Sequence, residues 1–261
     1  MRGAVALAVV AVLYGIVAEA GSQVLPSRIW LTSHYVEVEL VPRYASLGEE
    51  AIFLVRAGLL QGGVAVSGLR VLAGLLLGAL VGVPLGATMA WAARFGSLVE
   101  PWVVLLRFTP ALALLPLYVL WFGFGEASKV LLIASGVAIV AVQGAFEGVR
   151  GVPRVYLEAA EALGASAREV LRRIVVPAAL PHVVASLRIA TALAWVTIVV
   201  AELIQPTMPS LGYLLALSGA YPRVPTLVVA LATIGALVLA SDAITVAAYQ
   251  RATHWMRRRG G

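Results

Sequence analysis

Six long apolar stretches dominate this sequence and leave few folds open to it. They run over residues 3–20, 64–92, 101–124, 127–146, 183–204 and 225–249. A helix needs about 20 mostly apolar residues to cross the hydrocarbon core of a bilayer. A lipid-exposed backbone must satisfy its own N–H and C=O groups, which continuous runs of this kind do as helices. Composition agrees, with 61% hydrophobic and 12% charged residues, where soluble domains carry about 25% charge. The expected fold class is an all-α integral membrane protein with six transmembrane helices. The third stretch contains Pro110 and Pro116, so a kink is expected there.

The net charge of +6 reads as topogenic arginine rather than a nucleic-acid surface. With the N-terminus inside, the inner segments hold Arg2, Arg94, Arg150, Arg154, Arg168, Arg172, Arg173, Arg251, Arg257, Arg258 and Arg259. The outer segments hold Arg28, Arg43, Arg56, Lys129 and Arg223. Eleven against five places both termini in the cytoplasm.

The chain then divides into a first transmembrane helix (1–20), an extracytoplasmic loop (21–63), a core of five spans (64–250) and a basic cytoplasmic tail (251–261). Met1-Arg2, the apolar run and Ala18-Glu19-Ala20 also have the layout of a cleavable signal peptide. An uncleaved anchor fits the long apolar run better. The outer loop mixes Trp30, Tyr35 and Tyr44 with Glu37, Glu39, Glu49 and Glu50. Its end, near 47–60, is expected to form an amphipathic helix at the membrane interface.

One cytoplasmic loop, 150–181, breaks the apolar pattern with "EAAEALGASAREVLRRIVVPAALP" over 158–181. Pro153 suits the first turn of a helix. Gly164 is a natural helix stop, and Ser166-Ala167-Arg168-Glu169 fits the S-x-x-E capping box of a second helix. Val170, Leu171 and Ile174 give that helix an apolar face, and Glu169–Arg173 gives it an i,i+4 pair. Pro177 and Pro181 are expected to end it before the fifth span. The result is a helix–turn–helix knob of specified shape, which suits a protein partner.

This stretch resembles the EAA motif of ATP-binding-cassette importer permeases: Glu158-Ala159-Ala160, three residues, Gly164, nine residues, then Ile174-Val175-Val176-Pro177, with Val176 where leucine is usual. "RFTPALALLPLYVLWFGFGEASK", "LRVLAGLLLGALVGVPLG" and "SLRIATALAWVTIVVAEL" are similar to the branch that imports nitrate, sulfonates, taurine and related solutes. The resemblance covers the chain from about residue 63 onward, and the outer loop matches less well.

The resemblance implies a type I importer permease in a prokaryotic plasma membrane. A second permease copy, two ATP-binding-cassette ATPase subunits and an extracytoplasmic solute-binding protein would complete the transporter. Glu158, Ala159, Ala160, Glu161, Gly164, Ala165 and Ser166 would contact the ATPase. No cofactor is expected on this chain; ATP and Mg would sit on the partner. The residues agree on one point. A P-loop requires G-x-x-x-x-G-K-[ST], and the single lysine, Lys129, stands between Ser128 and Val130.

Arg70, Arg107, Arg188, Glu202 and Asp242 fall within or near the spans. Arg188, Trp195 and Glu202 are spaced seven apart, so they share one helix face, and Thr191 lies beside it. That face, with Arg107 and Thr109 of the third span, is a candidate translocation pathway, and its arginines would attract an anionic solute. The alternative reading has Arg188, Arg107 and Arg70 snorkelling to the interfaces and Glu202 paired with an arginine of another helix. His34, His182 and His254 lack ligand spacing, and no catalytic constellation is visible.

The glycines Gly74, Gly78, Gly82 and Gly86 form a smooth strip on the second span. Whether it meets a helix of its own chain or of a second subunit is open at this level. A self-contained secondary transporter or channel is the main alternative function. It would show two related halves or interrupted helices in matching positions, and no convincing repeat is present. A membrane-embedded enzyme is disfavoured for want of a catalytic set.

Overall fold

The computed structural model describes residues 12, 28–31, 34–37, 44–221 and 223–252. The span expected at 3–20 with its alternative cleavage site, His254, and tail residues Arg257, Arg258 and Arg259 lie outside the described residues. Among the described residues, four helices are long and apolar enough to cross a membrane. A fifth span is reached only if one sharply bent helix pair is counted as a single crossing. Contacts divide the chain into two compact units.

The first unit comprises the described parts of Met1–Ser67 together with Glu202–Gly235. It opens with a short antiparallel hairpin, β1 (Arg28–Leu31) and β2 (His34–Glu37), in register Arg28↔Glu37 and Leu31↔His34. The all-helical expectation overlooked this hairpin, although its two runs are rich in aromatic and β-branched residues. Helix α1 (Tyr44–Arg56) overlaps the segment near 47–60 where an amphipathic helix is expected, and it stops before Gly58. Leu54 faces inward while Ile52, Phe53 and Val55 are exposed.

Gly58, at φ +72°, ends the turn after α1, and α2 (Leu59–Trp91) begins at once. The first turns of α2 lie against the segment before α9 (Leu211–Ala220): a Cβ on Gly62 would stand 2.9 Å from Pro209 Cβ. No apolar run of spanning length marks α9 in the sequence. Its 10 residues reach only about 15 Å, too short to span. Glu50 of α1 accepts a hydrogen bond from Thr226 Oγ1 at 2.5 Å, which ties α1 to the start of α10 (Val224–Ala252).

The second unit comprises Gly68–Ala201 with the part of the chain after Ala236. At its centre is α5 (Glu126–Arg150), with Leu132, Ile133, Val137, Ala141 and Ala145 buried. The glycine strip of α2 packs on α5 of the same chain. A Cβ on Gly78 would fall 2.6 Å from Ala134 O, on Gly82 2.5 Å from Ala138 O, and on Gly86 2.1 Å from Val142 O. The opposite face of α2 exposes Leu69, Leu72, Leu76 and Leu80, an apolar surface suited to lipid. On another side of α5, Gly144 and Gly148 lie against Ser186 and Ala179 of α8 (Val176–Ile204).

The third span is not a kinked helix but two helices at 92°. Helix α3 (Ala93–Phe108) stops where Pro110 forces the residue before it out of the helical region. Thr109 is extended at φ −82° and ψ 120°, and its hydroxyl donates to Leu105 O at 3.0 Å. A single 3₁₀ turn (Ala111–Leu114) leads into α4 (Leu115–Phe122). Pro116 sits in the first turn of α4, where its missing N–H costs nothing.

Candidate functional site: the coupling knob and the charges of the spans

The loop after α5 folds as a knob with its own small core. Helix α6 (Arg154–Ala162) follows Pro153, which serves as the N-cap residue. It closes with both hydrogen bonds of a Schellman motif: Ala165 N–H to Ala160 O at 3.0 Å and Gly164 N–H to Glu161 O at 2.9 Å. Gly164 holds φ +78°, where a side chain would be strained. Helix α7 (Ala167–Val170) then starts on the expected capping box, with both reciprocal bonds between Ser166 and Glu169 present. Val152, Ala160, Val170 and Val175 are buried together, flanked by Leu157, Ala165, Leu171 and Ile174.

This packing sorts the expected coupling residues. Ala160 faces the knob's core and Ala165 is half-buried, while Glu158, Ala159, Glu161, Gly164 and Ser166 are exposed. Leu163, at 88% exposure, and the exposed Tyr156 and Val155 add apolar surface around the two glutamates. Beside the turn lies a concavity of about 300 Å³ lined by Leu163, Gly164, Glu169, Arg173 and Ile174.

The prolines do not end the second helix as expected. Leu171–Val175 forms a π-helical turn, in which Val176 N–H reaches back five residues to Leu171 O. The register shifts at Pro177, which has no N–H to donate. Helix α8 continues through Pro181 to Ile204, giving one run of 38 residues from Ala167. At 1.5 Å per residue that run is about 57 Å long, nearly twice the hydrocarbon thickness. Arg168, Glu169, Arg172 and Arg173 cluster at its start, and the cost of charge in hydrocarbon puts that end outside the membrane. There the backbone N–H of Ser166, then its hydroxyl, then the charge of Arg173 hold the Glu169 carboxyl below its usual range.

The charges of the spans are partnered. Placing a single charge at mid-membrane costs at least about 2.5–3.5 kcal/mol. Arg70 is 4% exposed and turned inward rather than snorkelling. Its Nε donates to Glu126 Oε2 at 2.6 Å, and its Nη2 contacts Glu126 Oε1. Lys129 lies buried in α5, one turn after Glu126.

Glu202 is fully buried and holds the start of α9. It accepts from Ser67 Oγ at 2.9 Å and from the Gly212 N–H at 3.0 Å, while Ser67 Oγ accepts from the Leu211 N–H at 3.1 Å. A carboxylate at a helix N-terminus is favoured by the orphan amides and the dipole. A Cβ on Gly212 would lie 2.3 Å from Glu202 Cβ, so the close approach requires glycine.

The remaining pathway candidates fall in two places. Along α8, Arg188 forms a bidentate pair with Asp242 of α10, at 2.7 and 2.8 Å. Trp195 Nε1–H donates to Ser241 Oγ at 3.2 Å, and the buried Thr191 turns its hydroxyl to Leu187 O. Arg107 stands over its neighbour Phe108, with the guanidinium carbon 5.0 Å from the ring centre. It lines a cleft of about 150 Å³ with Glu100, Gln143 and Glu147, a lining that includes neither Arg188 nor Thr191.

Sequence alone marks Asp242 as an intramembrane charge and gives it no partner. The usable signal was two isolated opposite charges on neighbouring spans. Nothing in the spacing pointed to Ser67 or to the role of the α9 N-terminus.

Residues 74–258 match the family described as the binding-protein-dependent transport system inner membrane component. The chain belongs to this family. A relative from Brucella abortus (strain 2308), named "Probable ABC transporter permease protein", is 36% identical over 219 residues, covering 84% of this chain and 87% of that one. The taurine transport system permease protein TauC of Escherichia coli (strain K12) is 34% identical over 192 residues, 74% of this chain and 70% of TauC. Among solved structures, the inward-facing MetNI methionine ABC transporter aligns at TM-score 0.66 and 19% identity, over 76% of this chain and 98% of that one.

At that identity the structural likeness carries the fold alone, which is that of a type I importer permease. This binding-protein-dependent permease is thus a multi-pass inner-membrane protein and the translocating subunit of an ABC importer.

Proposed function

We propose that this permease imports a small sulfonate-class solute and is driven through the 150–181 knob by a separate ATPase. The observation that carries the coupling half is the knob itself. A Schellman closure, a capping box and a private apolar core hold a loop rigid while Glu158, Glu161 and Leu163 point outward. Rigidity of this kind lets a docked partner push on the helix behind it. Similarity to TauC supports the solute class.

In this reading ATP and its magnesium bind the partner ATPase, two copies of which dock on the knobs of a permease homodimer. A solute-binding protein delivers cargo on the outer side. Both termini lie in the cytoplasm, in keeping with the arginine bias of the loops.

The test is a pull-down from solubilised membranes, comparing the wild type with Glu158→Lys and Gly164→Asp. An ATPase that co-purifies with the wild type and is lost from both folded variants supports the reading. An unchanged partner set overturns the coupling assignment. Failure of the reconstituted complex to take up any alkanesulfonate overturns the solute assignment.

A further inference from the structure

Five arginines gather where α5 ends and the run into α8 begins: Arg150, Arg154, Arg168, Arg172 and Arg173. All five are exposed. Among the described residues, the guanidiniums of Arg150, Arg154, Arg168 and Arg172 have no hydrogen-bonded or ion-paired partner. Arg150 rests on the Phe146 ring, 4.9 Å from its centre, which leaves its donors open. Arg173 meets Glu169 only at 3.9 Å, and that carboxylate is already held by Ser166 in the capping box.

Their depth follows from the helices. Val152 packs in one small core with Val170 and Val175, and Val149 lies against it. That core brings the end of α5 level with the Arg168–Arg173 stretch. After Arg173 no charged residue follows until Arg188, so the apolar run starts at Ile174. Arg173, Arg172 and Arg168 precede it by one, two and six residue steps, or about 1.5, 3 and 9 Å. The headgroup layer of a bilayer is about 5–7 Å thick on each side. Guanidiniums at that depth meet lipid phosphates before they meet a cytosolic protein.

We propose that this arginine collar is a binding site for anionic phospholipid headgroups in the leaflet at the root of the knob. The inference goes beyond the coupling reading and depends on neither the ATPase nor the solute. A guanidinium fork takes two oxygens of a phosphodiester at once. Clusters of four to eight basic residues beside a span recruit anionic lipid, each contributing about fivefold in affinity. Glu158 and Glu161, exposed on α6, carry the same sign as the lipid and are repelled by it. Bound headgroups therefore fasten the root of the knob and leave its acidic side open.

Arginines that serve only to orient the chain show no preference between headgroups. The test measures that preference on the full-length permease in neutral detergent. Binding of a short-chain fluorescent phosphatidylglycerol is read by anisotropy, with the phosphatidylcholine of the same chain as comparison. The wild type is expected to favour phosphatidylglycerol at least tenfold, and Arg168→Gln with Arg172→Gln to weaken it by about 10- to 25-fold. Removal of the same charge elsewhere, in Arg56→Gln with Arg223→Gln, is expected to change it less than twofold. Arg168→Lys with Arg172→Lys keeps both charges and is expected to retain most of the binding, which covers the case of a glutamine variant that fails to fold.

Equal binding of the two headgroups by the wild type overturns the inference. So does an equal loss in the Arg56 and Arg223 variant, which would make the attraction one of net charge alone. Displacement of the probe by inorganic phosphate at matching concentration would make the collar a soluble-anion site. A glutamine variant that still binds phosphatidylglycerol but no longer retains an ATPase would assign these arginines to the protein partner instead, and the lipid site would fall.

Discussion

The glycine strip of α2 offers a sharp test of how these helices pack. Gly86 and Gly68 lie in the same helix, but their surroundings differ. A Cβ on Gly86 would sit 2.1 Å from Val142 O, whereas nothing stands within 4 Å of a Cβ on Gly68. Ordinary contact begins near 3.4 Å, so Gly86→Ala must push α2 and α5 apart locally by about 1.3 Å, the difference between 3.4 and 2.1. The obstacle is a backbone carbonyl inside a helix, which cannot rotate away as a side-chain tip could.

Both alanines gain the same helix propensity, about 0.5–1 kcal/mol. That gain cancels between the variants and leaves the overpacking cost, about 1–3 kcal/mol. For a chain of this size, about 2–4 °C of melting temperature accompanies each kcal/mol. Gly86→Ala should thus melt about 2–12 °C below Gly68→Ala, with Gly68→Ala at or slightly above the wild type. Thermal unfolding in detergent, followed by fluorescence-detected gel filtration, measures this directly. Equal melting temperatures for the two variants would refute intrachain packing of the strip on α5.

Glu202→Ala should leave Ser67 and the Gly212 N–H without their carboxylate and cost about 1–3 kcal/mol; Glu202→Gln, which keeps an acceptor oxygen, should cost less in the same melting assay. Replacing Pro110 and Pro116 together by alanine restores two N–H donors and should let α3 and α4 join. Spin labels at the exposed Leu98 and Leu120 should then move from roughly 23 Å apart across the bend to roughly 33 Å along a straight helix, and an unchanged distance would assign the bend to packing rather than to proline.

Glu169 gives a pH signature. Its folded-state pKa is depressed, so its stabilisation is present above the ordinary carboxylate range and is lost as pH falls through the lowered value. Hydrogen exchange at residues 166–170 should therefore accelerate on acidification, and Ser166→Ala should remove that step.

The knob was legible in the sequence because its determinants are local. Gly164, Ser166 and Glu169 act within a few residues of one another, so spacing alone carries the Schellman closure and the capping box. The span helices were legible for the same reason, since apolar length needs no partner.

What escaped the sequence was set by partners far along the chain. Pro177 and Pro181 looked like terminators, but the π turn at 171–175 lets the helix run through them. Pro110 looked like a kink, but with Thr109 extended it became a full break. Helix α9 could not be distinguished from loop, because Glu202 and Ser67 hold its first turn from outside.

These corrections bear on how a push on the knob is transmitted. Had Pro177 ended the second knob helix, a loop would separate Glu169 from Arg188, and loops absorb displacement. Instead one helical run joins them, with 19 residue steps of about 1.5 Å, or about 29 Å. Its only departure from α geometry is the π turn, whose Val175 is packed in the knob's own core. A partner that tilts the knob therefore moves Arg188 as part of the same rod. Asp242 belongs to α10, which is not part of that run, so a displacement of the run bears on the Arg188–Asp242 contact. Arg188 and the end of the knob thus sit on one continuous helical run.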